Sequence, residues 1–372
     1  MPNPPALFPF FGAPAHFREH HMKLKQTVTI LGGVIAMAFA SQSFALPTVK
    51  ILATGGTIAG VAQKSTDVTG YKAGSLGIDT LIQAVPQMKD YAEVSGEQVA
   101  NISSNNVNTK ILLHLANRVN ELLADPKIDG VVITHGTDSI EETAFFLNLT
   151  VKSDKPVVLV GAMRPATAIS ADGPMNLLEA VQAAASPKMK GVGVTIVMND
   201  RICAARETTK FNTSNVATFQ APEYGYLGVM SKAEPVLYRL STRRHTAKSE
   251  FDVKGLETLP RVDVVYALPG DDAKMAEAAV KNGAKGIVSA SMGNGSIPNG
   301  QKAYYEPLMK KGFPVILSER VPTGDCVLSG EDEAKGYIAA GNLNPQKSRL
   351  LLQLALTKTS DPKEIQRIFN EY

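Results

Sequence analysis

The chain has no tryptophan, only two cysteines and only six histidines among 372 residues. Two cysteines rule out a disulfide scaffold and the multi-cysteine zinc modules. Beyond residue 45, none of His114, His135 and His245 falls in an HExxH or other paired-ligand spacing, so no metal site is expected. Charge of one sign is also missing. The 38 basic and 35 acidic side chains leave a net +3, too little for a nucleic-acid surface. Long apolar runs are scarce as well. The run Thr27–Ala40 spans 14 residues, short of the roughly 20 that a membrane-spanning helix needs. What is there is ordinary for a globular protein: 44% hydrophobic and 20% charged residues.

The apolar run has a telling context. Met22-Lys-Leu-Lys25 precedes it, and Ser41-Gln-Ser-Phe-Ala45 follows, with small residues at Ser43 and Ala45. A basic start, a short apolar middle and a small-residue end make a secretory signal peptide. Residues 1–45 are read as an upstream tail and signal peptide, with Met22 a second candidate start. The mature chain is then expected to be soluble, exported to the periplasm and free of the membrane. It would keep 327 residues, 35 basic and 34 acidic side chains, and three histidines: His114, His135 and His245.

Short β-branched runs alternate with helical patterns from there on. Strands are expected at Val49–Ala53, Val131–Thr134, Val157–Val160 and Val192–Met198, all apolar enough to be covered on both faces. The window Asn108–Leu123 repeats apolar residues every three or four positions, as a helix does. Ser139-x-x-Glu142 reads as a capping box, and Asp172-Gly-Pro174 as a helix entry. A second α/β series runs from Val262 to Ser318. Two helices close the chain, entered at Asn344-Pro345 and Asp361-Pro362. The alternation predicts an α/β protein of two domains with parallel-rich sheets. Residues 46–238 form the larger catalytic domain, 239–260 a solvated linker and 261–372 the smaller domain.

Ligands of open parallel sheets bind beyond the carboxyl ends of the strands. Two strand-end loops there carry a threonine: Thr54-Gly-Gly-Thr57 and Thr134-His-Gly-Thr137-Asp138. The first lacks the GxGxxG spacing of a dinucleotide loop. A hydroxyl becomes a nucleophile once a base takes its proton, and a lysine buried near a carboxylate is such a base. Lys210, in Thr208-Thr-Lys210, is the candidate. Cys203 and Cys326 are read as unpaired thiols outside the chemistry.

These residues carry a resemblance. Ala53-Thr-Gly-Gly-Thr-Ile-Ala59 and Ile133-Thr-His-Gly-Thr-Asp-Ser139 resemble the two signature motifs of the bacterial asparaginase/glutaminase family, above all its periplasmic type II L-asparaginases. The similarity covers residues 47–372, including Gly161-Ala-Met-Arg-Pro165 and Leu343-Asn-Pro-Gln-Lys347. It implies hydrolysis of L-asparagine to L-aspartate and ammonia, with L-glutamine a second substrate and no cofactor. By position Thr57 matches the nucleophile and Tyr71 the tyrosine of a mobile lid. Thr137, Asp138 and Lys210 match a second group that activates water or the nucleophile. Ser104 matches a grip on the substrate α-carboxylate, Asp138 a partner of its α-ammonium, and Ala162 a backbone position facing the amide. Asn294 matches a residue lent by a neighbouring subunit, in tetramers built as dimers of dimers.

The chain also departs from the pattern. Asn105 stands where the family has Gln or Glu, one methylene longer. Ser139 replaces a threonine. Glu331 is the nearest match to a glutamate lent by the neighbour, in a shortened loop. Ala124 and Ser153 stand where type II enzymes have a disulfide. The competing class is a periplasmic amino-acid-binding protein without catalysis, which needs no Thr–Lys–Asp set.

Overall fold

The structure, a computed structural model, describes residues 45–372. The signal peptide expected over residues 1–45 falls, but for Ala45, outside that range.

Strands form where β-branched residues cluster, and helices where apolar residues recur every three or four positions. Along residues 48–237 these are β1 (Thr48–Gly55), β2 (Val61–Ala62), β3 (Tyr71–Lys72), α1 (Ile78–Ala84), β4 (Glu93–Ile102), α2 (Thr109–Ala124), β5 (Gly130–Thr134), α3 (Ile140–Thr150), β6 (Val157–Val160), α4 (Gly173–Ala185), β7 (Val194–Met198), β8 (Arg201–Ala204), β9 (Thr209–Lys210), β10 (Phe219–Gln220), β11 (Gly228–Ser231) and β12 (Glu234–Leu237). Eight of them make one sheet in the order β12-β11-β8-β7-β6-β5-β1-β4. β4, β1, β5, β6 and β7 run parallel. β8, β11 and β12 extend the sheet antiparallel.

The parallel strands alone read 2-1-3-4-5 in chain order. The chain leaves β1 for β4 on one side and returns to β5 on the other. Such a reversal opens a crevice at the carboxyl ends of the two strands that flank it, here β1 and β5. Ala53, Thr134 and Val160 lie side by side in the register, so the loops after β1, β5 and β6 leave the sheet at one level.

After residue 260 come β13 (Val262–Tyr266), α5 (Lys274–Lys281), β14 (Gly286–Ser291), α6 (Asn299–Met309), β15 (Val315–Glu319), α7 (Gly330–Lys335), β16 (Ile338–Ala339), α8 (Pro345–Ala355) and α9 (Pro362–Glu371). β13 to β16 form a second, all-parallel sheet in chain order. The architecture is thus the expected pair of α/β units, the larger first. Both proline entries behave as read: Asn344 caps α8 by accepting the Lys347 N–H, and Asp361 caps α9 by accepting the Lys363 N–H.

The stretch 239–260 is not a solvated linker. Phe251, Val253 and Leu259 are buried. Arg239 pairs with Glu207, and Arg244 with Glu371. The basic run is polar because it meets carboxylates, and the apolar residues among it anchor the strap to the core.

Candidate active site

The loop after β1 turns where only glycine turns easily. Gly55 and Gly56 have φ of 103° and 82°, a region that side chains disfavour. A Cβ on Gly56 would come within 2.4 Å of the Gly136 backbone. The two threonine loops therefore touch, backbone to backbone, across the β1/β5 crevice. Thr57 follows on a single buried helical turn. Its Oγ1 lies 2.7 Å from the Tyr71 Oη, and either hydroxyl can donate. Tyr71 arrives on β3, which pairs with β2 as a small hairpin.

The loop after β5 supplies the second set. Lys210 Nζ donates to Thr137 Oγ1 at 3.1 Å and to Asp138 Oδ1 at 2.6 Å. Lys210 is neither the solvated surface lysine nor the fully buried one that the sequence left open, but half-buried beside a carboxylate. One fifth of the Lys210 side chain and 62% of Asp138 stay open to solvent, because both sit at the rim of the crevice. Lys210 can exchange a proton with Thr137 across their hydrogen bond.

Ser104 is buried after β4. A Cβ on Gly136 would come 2.6 Å from its Oγ, so it lies against the Thr137 loop. Its carbonyl accepts from Ser139 Oγ at 2.7 Å. This overturns the capping-box expectation. Ser139 makes no side-chain cap to α3, because its hydroxyl ties the β4 and β5 loops together instead. Asn105 is exposed next to Ser104. In the third loop, a Cβ on Gly161 would touch the Thr137 methyl at 3.0 Å. Ala162, fully buried, follows it. Asp172 accepts the N–H groups of Met163 and Arg164 and holds that loop in shape.

Thr57, Tyr71, Ser104, Thr137, Asp138, Ala162 and Lys210 thus gather at one crevice. Asn294 and Glu331 do not join them through any hydrogen bond among the described residues. Asn294 accepts the Val327 N–H in the turn after β14. Glu331, exposed on α7, pairs with Lys335.

His135 lies between the signature residues yet faces inward. It is buried, with Nδ1 2.8 Å from the Gly136 carbonyl and Nε2 3.0 Å from Thr143 Oγ1. Burial holds its pKa down to about 4, against the pull of the Gly136 carbonyl. The neutral ring donates from Nδ1 and accepts from Thr143. Cys203 and Cys326 are unpaired and buried. Burial pushes each thiol up to about 12, which removes them as nucleophiles.

Sequence reasoning passed over Glu141. It is buried at the start of α3, and its Oε2 accepts the Lys210 backbone N–H at 2.7 Å. An acidic residue inside an otherwise apolar helix was the available signal.

The geometry has close counterparts. Residues 48–243 match the asparaginase N-terminal family, and residues 261–369 the glutaminase/asparaginase C-terminal domain. L-asparaginase 2 of Bacillus subtilis is 51% identical over 91% of this chain and 90% of its own length. L-asparaginase 2 of Escherichia coli is 49% identical over 91% of this chain and 97% of its own length. A glutaminase-asparaginase of Acinetobacter glutaminasificans is 46% identical over 87% and 99%. Among solved structures, a protein described as a probable cytoplasmic L-asparaginase from Campylobacter jejuni superposes with a TM-score of 0.86 at 50% identity. It spans 88% of this chain and all of its own. With two threonine loops meeting at the switch point of its larger sheet and both family domains matched in order, the chain belongs to the asparaginase/glutaminase family.

Proposed function

We propose that the protein hydrolyses the side-chain amide of L-asparagine, giving L-aspartate and ammonia, with L-glutamine as a second substrate. The observation that carries this reading is the pair of hydroxyl sets at one crevice: Thr57–Tyr71 and Thr137–Lys210–Asp138. The names of the relatives, L-asparaginases and glutaminase-asparaginases, support it.

Thr57 Oγ1 attacks the amide carbon as its proton passes to the Tyr71 hydroxyl, which gives up its own proton toward the leaving nitrogen. The C–N bond breaks, the nitrogen takes a proton and ammonia leaves, and an ester to Thr57 remains. Water held by Thr137 and Lys210 then attacks the ester. The acid is released and the Thr57 hydroxyl is restored. Backbone N–H groups of the touching loops stabilise the oxyanion, with Ala162 facing the amide. Ser104 takes the substrate α-carboxylate and Asp138 its α-ammonium. Asn105, one methylene short, leaves that ammonium less tightly held. Asn294 and Glu331 act on a neighbouring copy's site within a homotetramer, a dimer of dimers. Export to the periplasm through residues 1–45 completes the reading.

Ammonia release from each amide tests it, on wild type, Thr57→Ala and Thr137→Ala. Wild type should release ammonia from asparagine, and each substitution should lower kcat by about 10³-fold or more. Activity of Thr57→Ala within tenfold of wild type would overturn the nucleophile. Stoichiometric asparagine binding without ammonia would point to a binding protein instead.

A further inference from the structure

The side chain of Lys210 acts at the crevice, but its strand is a poor mount. β9 is two residues long and pairs only with the two-residue β10. An isolated pair of short strands is marginal in water, whereas amide hydrolysis needs the lysine held to a fraction of an ångström.

The mount lies elsewhere. The Lys210 N–H donates to Glu141 Oε2 at 2.7 Å. The other oxygen of that carboxylate accepts from Gln346 Nε2 at 2.6 Å and from Asn344 Nδ2 at 3.3 Å. Both donors stand on the first turn of α8, in the C-terminal half of the chain. Lys347, on the same turn and fully buried, donates from Nζ to the carbonyls of Arg206 and Thr208, just before β9. The first turn of α8 thus grips the Lys210 strand twice, once directly and once through Glu141. Capping α8 needs only Asn344 Oδ1, so the remaining donors are not accounted for by the helix.

A buried carboxylate is costly unless its oxygens are bonded. Glu141 is buried at 4% exposure, and its bonds run to the Lys210 backbone on one side and to α8 on the other. We infer that Glu141, held by Gln346 and Asn344, is a positioning residue for amide hydrolysis, fixing the backbone from which Lys210 reaches Thr137 and Asp138. This rests on the function proposed above. Glu141 touches no reacting atom; it acts through Lys210.

A double-mutant cycle separates positioning from general stability. Glu141→Ala should lower kcat for asparagine about 10–100-fold, since an ångström of misplacement costs that much. In a Lys210→Ala background the same change should cost less than about twofold, because the residue it positions is gone. Glu141→Gln should recover most of the loss: its carbonyl oxygen accepts the Lys210 N–H while the Gln346 amide turns its oxygen toward the new NH2 and Asn344 keeps its own oxygen on the helix cap. Gln346→Ala, a milder change on a half-buried residue, should lower kcat severalfold with the fold intact by circular dichroism. Equal losses with and without Lys210, or kcat within twofold of wild type in both Glu141→Ala and Gln346→Ala, would overturn the inference alone. A wild type that releases no ammonia from either amide would overturn the functional reading, and this inference with it.

Discussion

A histidine inside a signature motif invites a catalytic role, yet His135 is spent on structure. Its neutral ring joins the Gly136 carbonyl to Thr143. The folded pKa, about 4, lies below the ordinary 6.5. As pH falls from 6.5 to 4, the unfolded chain takes up this proton first, so stability is lost across that window. The loss reaches at most about 3 kcal/mol for a shift of this size. Denaturant unfolding at pH 7 and pH 4.5 should show the drop in wild type and a smaller one in His135→Gln. An equal drop in both would contradict the assignment. At this scale the sequence was readable where the chemistry is local. A threonine after paired glycines at the end of an apolar strand announces itself. Glu141 does not, because its partners Asn344 and Gln346 lie 203 and 205 positions away.

Elements were readable in proportion to their burial. β5, β6 and β7 are buried at every position, so their apolar runs stand out, and the expected bounds differ from the observed ones by two residues at most. β4 escaped notice. It is an edge strand on which no residue is fully buried, so its sequence Glu-Val-Ser-Gly-Glu shows no run. Its Gly96 exists for packing. A Cβ there would lie 2.3 Å from Ile78 Cγ1 and 2.9 Å from Ile82 Cδ1, on α1. Gly96→Ala should therefore destabilise the protein by about 1–3 kcal/mol through overpacking. The melting temperature checks this; a shift of less than about 1 °C would show that α1 gives way freely. The capping box failed for a related reason. Ser139 fits the local pattern, but a carbonyl 35 positions earlier competes for its hydroxyl.

In the whole molecule, the two sheets share one hydrophobic core. It runs from β1 and β5 through α3 and α8 to Val262, Val288 and Ile316 of the second sheet, while a separate cluster with Tyr305 and Tyr337 covers that sheet's other face. Alternating strands and helices foretold two α/β units. The 2-1-3-4-5 order was not foretold, since crossing from β4 back to β5 is decided by tertiary packing and not by any local pattern. That order makes neighbours of the Thr57 and Thr137 loops, 80 residues apart in the chain. The proposed hydrolysis therefore turns on the Thr57 hydroxyl as the attacking group. The most direct measurement quenches the enzyme during turnover of a slow amide substrate and maps any ester by peptide mass spectrometry. An acyl group on Thr57, missing from Thr57→Ala and accumulating in Thr137→Ala, is the predicted result. An acyl group on Thr137, or turnover with no protein-bound ester at all, would contradict it.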